Sequence, residues 1–124
     1  MGRTIVIAED DPQSMYLARF LLEKRGYEVV PAVDGEQVIE AVRVSEPDLV
    51  LMDIHLPKLD GYAATRALRE EFGPGLPIVA LTAHSMKGDR EATFEAGCDG
   101  YISKPIDPGR FVEDVEEYLS GGDR

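Results

Sequence analysis

The chain has 124 residues, 44% hydrophobic and 30% charged, with 24 acidic side chains against 13 basic and a formal net charge of -11. That length fits one domain and is too short for two ordinary ones, and no apolar run approaches the roughly 18 residues needed to cross a bilayer. The charge repels a phosphate backbone and no basic stripe offsets it, which argues against binding of DNA or RNA.

Cys98 is the single cysteine, so no internal disulfide can form, and a reducing, cytoplasmic compartment is expected. The opening "MGRTIVIAEDD" lacks the pattern of a secretory signal. Val6 stands where a myristoylation site after Gly2 needs Ser or Thr.

In chain order, apolar runs rich in β-branched residues alternate with helical patterns. "TIVIA" (4–8) reads as a strand and runs into Glu9, Asp10, Asp11 and Pro12. Proline suits the first helical position, so Asp11 before it is the expected N-cap. The helix over about 12–25 carries Leu17, Phe20, Leu21 and Lys24 at helical spacing and ends in a basic turn followed by Gly26.

"YEVVPA" (27–32) is the second strand, and the helix after it starts at Asp34, with Gln37 placed three residues on for a reciprocal cap. "DLVLM" (48–52) is the third, and a helix over about 61–72 sets Ala64, Leu68 and Phe72 on one stripe. "PIVALT" (77–82) is the fourth. The helix near 88–96 offers few large apolar residues and is predicted to be loosely held. "GYIS" (100–103) is the fifth strand, and a last helix from Asp107 and Pro108 places Phe111, Val115 and Leu119 on one face. One domain over 1–120 is expected, with 121–124 as a short polar tail.

Near-continuous apolar strands separated by helices predict an α/β, doubly wound, five-stranded parallel sheet covered by helices on both faces. In that class the ligand site lies beyond the carboxyl ends of the strands. There the sequence puts Glu9 and Asp10 after strand one, Asp53 after strand three, Thr82 at the end of strand four and Lys104 after strand five. Acids at the start of a helix are favoured by its dipole alone, but Asp53, Thr82 and Lys104 at matching strand ends point to a shared pocket. Carboxylates gathered there call for a cation, and Mg²⁺ is the favoured one because it takes a few carboxylates and accepts phosphoryl oxygens. His55, His84 and Cys98 are too scattered to make a zinc set.

Four motifs in order, "AEDDP", "DLVLMDIHLPKLDGY", "IVALTAH" and "AGCDGYISKPI", resemble the receiver domains of two-component response regulators over essentially the whole chain. The resemblance implies a flavodoxin-like sheet of order 2-1-3-4-5 with five helices. It also implies Asp53 as phosphoacceptor, Glu9 and Asp10 as the metal-binding pair, the backbone carbonyl of His55 as a further Mg²⁺ ligand, Thr82 as switch hydroxyl and Lys104 as the essential lysine. A cis bond before Pro105 is implied as well. Tyr101 matches the aromatic position that turns inward when the threonine moves, coupling the site to the face of helix four, strand five and helix five. Ala83, His84 and the His55 side chain border the phosphoryl group. Cys98 sits where receivers carry a small residue, so a buried small hydrophobe is expected rather than a redox thiol.

The implied phosphodonor is a phosphohistidine on a histidine kinase or histidine phosphotransfer protein, with a downstream protein partner. Such a protein catalyses its own phosphorylation and slow dephosphorylation without being a turnover enzyme. "AHSMKGDREA" resembles cell-division-type single-domain receivers and receivers of hybrid kinases. The Met1 start favours the stand-alone form.

Three alternatives share part of this pattern. A flavin or nucleotide binder wants a Gly- or Ser/Thr-rich first loop, whereas this one is acidic. A haloacid-dehalogenase-type phosphatase wants a second acid two residues after its nucleophile, where His55 stands. An interaction module that never takes phosphate has no need of the full set of Glu9, Asp10, Asp53, Thr82 and Lys104.

Overall fold

In the computed structural model, which describes residues 3–83 and 87–121, a parallel sheet runs in the order β2-β1-β3-β4-β5. Its strands are β1 (Thr4–Ala8), β2 (Glu28–Ala32), β3 (Leu49–Asp53), β4 (Ile78–Thr82) and β5 (Gly100–Ser103). The helices α1 (Pro12–Lys24), α2 (Gly35–Ser45), α3 (Gly61–Phe72), α4 (Lys87–Ala96) and α5 (Phe111–Gly121) alternate with them. Architecture and strand order are those the sequence predicts.

Strand residues alternate between two cores because successive side chains leave opposite faces of a sheet. Val6, Ala8, Val50, Met52 and Ala80 meet Val38 and Val42 of α2 and Ala64 and Leu68 of α3. Ile5, Ile7, Leu49, Leu51 and Leu81 meet Ala18 and Leu22 of α1 and Phe111 and Val115 of α5. The register sets Ala8 beside Met52, Asp53 beside Leu81 and Thr82 beside Ser103, so the carboxyl ends finish almost level.

The caps follow the sequence closely. The Asp11 carboxylate accepts from the Ser14 amide at 3.0 Å and the Ser14 hydroxyl at 2.8 Å. Asp34 accepts from the Gln37 amide at 2.8 Å, while Gln37 Oε1 accepts in return from the Val33 amide at 3.0 Å.

Two predicted core positions turn out to lie outside. Phe20 is 47% exposed, because α1 anchors through Ala18 and Leu22, and a residue midway between them points about 200° away. There it stacks on Tyr16 with centroids 6.1 Å apart and lies under the Lys24 ammonium. Phe72 is 38% exposed, at the last residue of α3, where the stripe of Ala64 and Leu68 outruns the core.

The last helix also begins later than Asp107. The Asp107 carboxylate accepts from the Gly109 amide at 3.0 Å, and its carbonyl accepts from Arg110 and Phe111, making a separate turn before α5. Of α4, Thr93 and Ala96 are buried and Phe94 is exposed.

Arg69 fastens one end of the fold. Its guanidinium donates to the carbonyls of Gly97 (2.8 Å), Gly73 (3.0 Å) and Leu76 (2.6 Å) and to the Asp99 carboxylate (2.9 Å), which also accepts from the Ile78 amide. Arg69→Met keeps the apolar stem and strands these acceptors, so a loss of about 2–4 kcal/mol is expected. It is read as a lower urea midpoint at an unchanged slope.

Cys98 is buried beside the Thr65 hydroxyl, 3.8 Å from its sulfur. Burial pushes the thiol above its ordinary value, so at any given pH less of the reactive thiolate is present. Alkylation in the native state should run slower than in denaturant by about two orders of magnitude, measured by mass.

Candidate functional site

The five predicted site residues stand where the strands end. β1 hands on to Glu9 and Asp10, β3 closes on Asp53, β4 closes on Thr82, and Lys104 follows β5. The bonding of the sheet continues one residue past the strands: Glu9 donates to the Ala32 carbonyl at 2.9 Å, Ile54 to Leu81 at 3.2 Å and Lys104 to Thr82 at 2.8 Å. Backbone geometry therefore fixes the loops that carry the acids and the lysine.

One oxygen from each of Glu9, Asp10 and Asp53 lies within 4.8 Å of the others. Glu9 and Asp53 are buried and Asp10 is exposed. The Lys104 ammonium donates to Glu9 Oε1 at 2.7 Å and to Asp53 Oδ2 at 3.3 Å. Glu9 Oε2 accepts from the Asp11 amide at 3.1 Å, and Asp53 Oδ1 accepts from the His55 amide at 3.0 Å. Asp11 thus divides its labour, its side chain capping α1 and its amide steadying Glu9.

Burial holds the Glu9 carboxyl above its ordinary range, and the neighbouring Asp53 pushes the same way against the Lys104 hydrogen bond. For Lys104, burial alone acts downward. The Glu9 hydrogen bond and the charges of Asp53 and Glu9 together outweigh it and hold the ammonium above its usual value. Among the described residues of the cluster, three carboxylates against one ammonium leave two excess negative charges when all are ionised. An all-oxygen donor set with that excess fits a hard divalent ion such as Mg²⁺.

The loop between β3 and α3 completes the wall. Asp60 caps α3 through the Ala63 amide at 2.9 Å, and the Gly61 amide donates to the Ile54 carbonyl at 2.9 Å. Gly61 leaves no room for a side chain, since a Cβ there would run into the Asp53 carbonyl and come within 2.7 Å of Ile54 Cα. Sequence reasoning missed Asp60 and Gly61, although the "LDGY" that contains them is a helix-start signal.

Thr82 is buried at the end of β4 and Ala83 is exposed just beyond it. His84 lies outside the described residues. His55 is exposed, with its amide turned to Asp53. The bond before Pro105 is cis. Tyr101 is half-buried on β5, against the core that includes Ala64 and Leu68, and meets the edge of Phe94 of α4 at 6.5 Å.

The sequence matches the response regulator receiver domain over residues 5–116. It is 41% identical over 120 residues to the polar-differentiation response regulator DivK of Brucella ovis, covering 96% of this chain and 98% of that protein. Among solved structures, it is similar to the receiver domain of a sensor histidine kinase from Pseudomonas aeruginosa PAO1, which has a magnesium ion coordinated in its active site cleft. The TM-score is 0.88 at 36% identity, covering 97% of this chain and 99% of that one. A CheY-like receiver domain protein from Methanospirillum hungatei JF-1 gives a TM-score of 0.90 at 26% identity, covering 99% and 98%. Sequence and fold agree over nearly the full length, and the chain belongs to the response regulator receiver domains, the phosphorylation-based modules of two-component signalling.

Proposed function

We propose that Asp53 takes a phosphoryl group from a phosphohistidine and that the resulting acyl phosphate switches binding of a protein partner. The observation that carries this reading is the Lys104 ammonium bridging Glu9 and Asp53 inside the acid cluster. In the transfer, an Asp53 carboxylate oxygen forms a bond to phosphorus as the phosphorus–nitrogen bond of the donor breaks and the imidazole leaves. The His55 amide on Asp53 Oδ1 fixes the rotation of the nucleophile. Lys104 stands ready for the negative charge that develops on the moving group.

Glu9, Asp10 and Asp53, with the His55 carbonyl, would hold Mg²⁺, which supplies charge neutralisation at the phosphoryl oxygens when bound. Water attack on the acyl phosphate later restores Asp53, at a rate set in part by Ala83, His84 and the His55 side chain at the border of the site.

Thr82 turns its hydroxyl toward the new phosphoryl oxygens, and Tyr101 follows inward, altering the face made by α4, β5 and α5. Only a phosphoryl group that stabilises one arrangement over the other can shift that balance. The donor is a histidine kinase or histidine phosphotransfer protein, the receiver output is a protein contact, and the setting is the cytoplasm.

The test is incubation with Mg²⁺ and acetyl phosphate, followed by intact mass and peptide mapping. One phosphoryl group on Asp53, released by hydroxylamine and absent when chelator is present, is the expected result. Phosphate on a serine, threonine or histidine instead would reject the assignment.

A further inference from the structure

We infer that the groove between β5 and α5 receives a basic, amphipathic protein segment; this rests on the reading of that face as the output surface. The groove has a volume of about 440 Å³, room for a few side chains rather than a whole helix, with Tyr101, Ile102, Phe111 and Tyr118 among its walls. Asp107, Asp114 and Glu117 line it as well, against Arg110 as the one cation among the described lining residues.

These acids are not equivalent. Asp107 is committed to the Gly109 amide. Asp114 and Glu117 stand three residues apart on α5, one turn above the other, and among the described residues neither has an ion-pair partner. Elsewhere on the surface Glu23, Glu71, Asp99 and Glu116 each face an arginine. The helix dipole favours Asp114 in the first turn of α5, but its influence fades before Glu117. Two like charges left side by side at the mouth of a partly aromatic groove are relieved by a cation from outside.

An arginine or lysine suits that mouth because its methylene stem lies along apolar walls while its head reaches the carboxylates. The half-buried rings of Tyr101 and Tyr118 add a face for the cation. The chain's net charge of -11 steers a basic partner toward it. The occupant is therefore a protein segment with an apolar side chain flanked by basic ones. Because Tyr101 lines the groove, its movement would reshape the seat.

The experiment uses the full chain and a fluorescein-labelled synthetic amphipathic peptide of leucine, alanine and arginine, with a glutamate-for-arginine counterpart, read by anisotropy. Asp114→Lys/Glu117→Lys should weaken the basic peptide by about tenfold or more. The milder pair Asp114→Asn/Glu117→Gln should act in the same direction with a smaller effect. Glu36→Lys/Glu40→Lys on α2 changes net charge equally and should leave affinity within about twofold. Equal weakening by the α5 and α2 pairs, or equal binding of the acidic peptide, overturns the groove assignment. Mg²⁺ with beryllofluoride, a phosphoryl mimic, separates the two readings. Affinity that ignores it yet still falls in the α5 variants upholds the groove and removes the switch.

Discussion

Asp53→Asn is expected to abolish phosphoryl uptake, leaving less than about one part in a hundred of the wild-type product by intact mass. The amide keeps the shape of the carboxylate and an acceptor for the His55 amide 3.0 Å away, but its NH2 replaces the oxygen that accepts from Lys104 at 3.3 Å and leaves that ammonium to Glu9. What it loses is the anionic oxygen that attacks phosphorus in the proposed transfer, and half of the excess negative charge that recommends the site to a divalent ion. Thermal melts provide a second readout. Mg²⁺ should raise the wild-type midpoint by mass action and raise that of the variant much less. Uptake of phosphate by the variant at the wild-type rate would show that another residue accepts it.

Gly61→Ala should be the most damaging of the conservative changes near the site, costing about 3 kcal/mol. The added methyl meets backbone on both counts, the Asp53 carbonyl and Ile54 Cα, so no rotamer change can relieve it. The strand end that presents Asp53 must shift instead, and phosphorylation should slow along with the loss of stability. Gly75→Ala is the natural comparison: nothing lies within 4 Å of its Cβ, and a change below about 0.5 kcal/mol is expected. Urea unfolding of the two variants beside wild type checks both values.

Much of this molecule was legible in its sequence because the strands are short, apolar and separated by strong punctuation. Asp11 before Pro12 and Asp34 before Gln37 mark helix starts by hydrogen-bonding chemistry that needs no tertiary context. Glu9, Asp10, Asp53 and Lys104 were recoverable because parallel topology brings all strand ends to one edge, whatever the side chains do there. The facing of Phe20 was not, since an aromatic at helical spacing looks like core until the helix is rotated against the sheet. Here the smaller Ala18 and Leu22 take the buried positions. The late start of α5 was hidden for a related reason: Asp107 has the right side chain for a cap but bonds to the Gly109 amide instead. The preference of Lys104 for Glu9 over Asp53 depends on side-chain reach that no spacing rule encodes.

That preference has a practical result for the proposed transfer. The ammonium rests on Glu9 at 2.7 Å and holds Asp53, the proposed nucleophile, more loosely at 3.3 Å. Had it clasped Asp53 as tightly, the lone pairs meant for phosphorus would be shielded, and each incoming donor would first have to prise them loose. On the proposed mechanism Glu9 works as a parking place, keeping the lysine near and ionised while the reagent beside it stays undressed for attack.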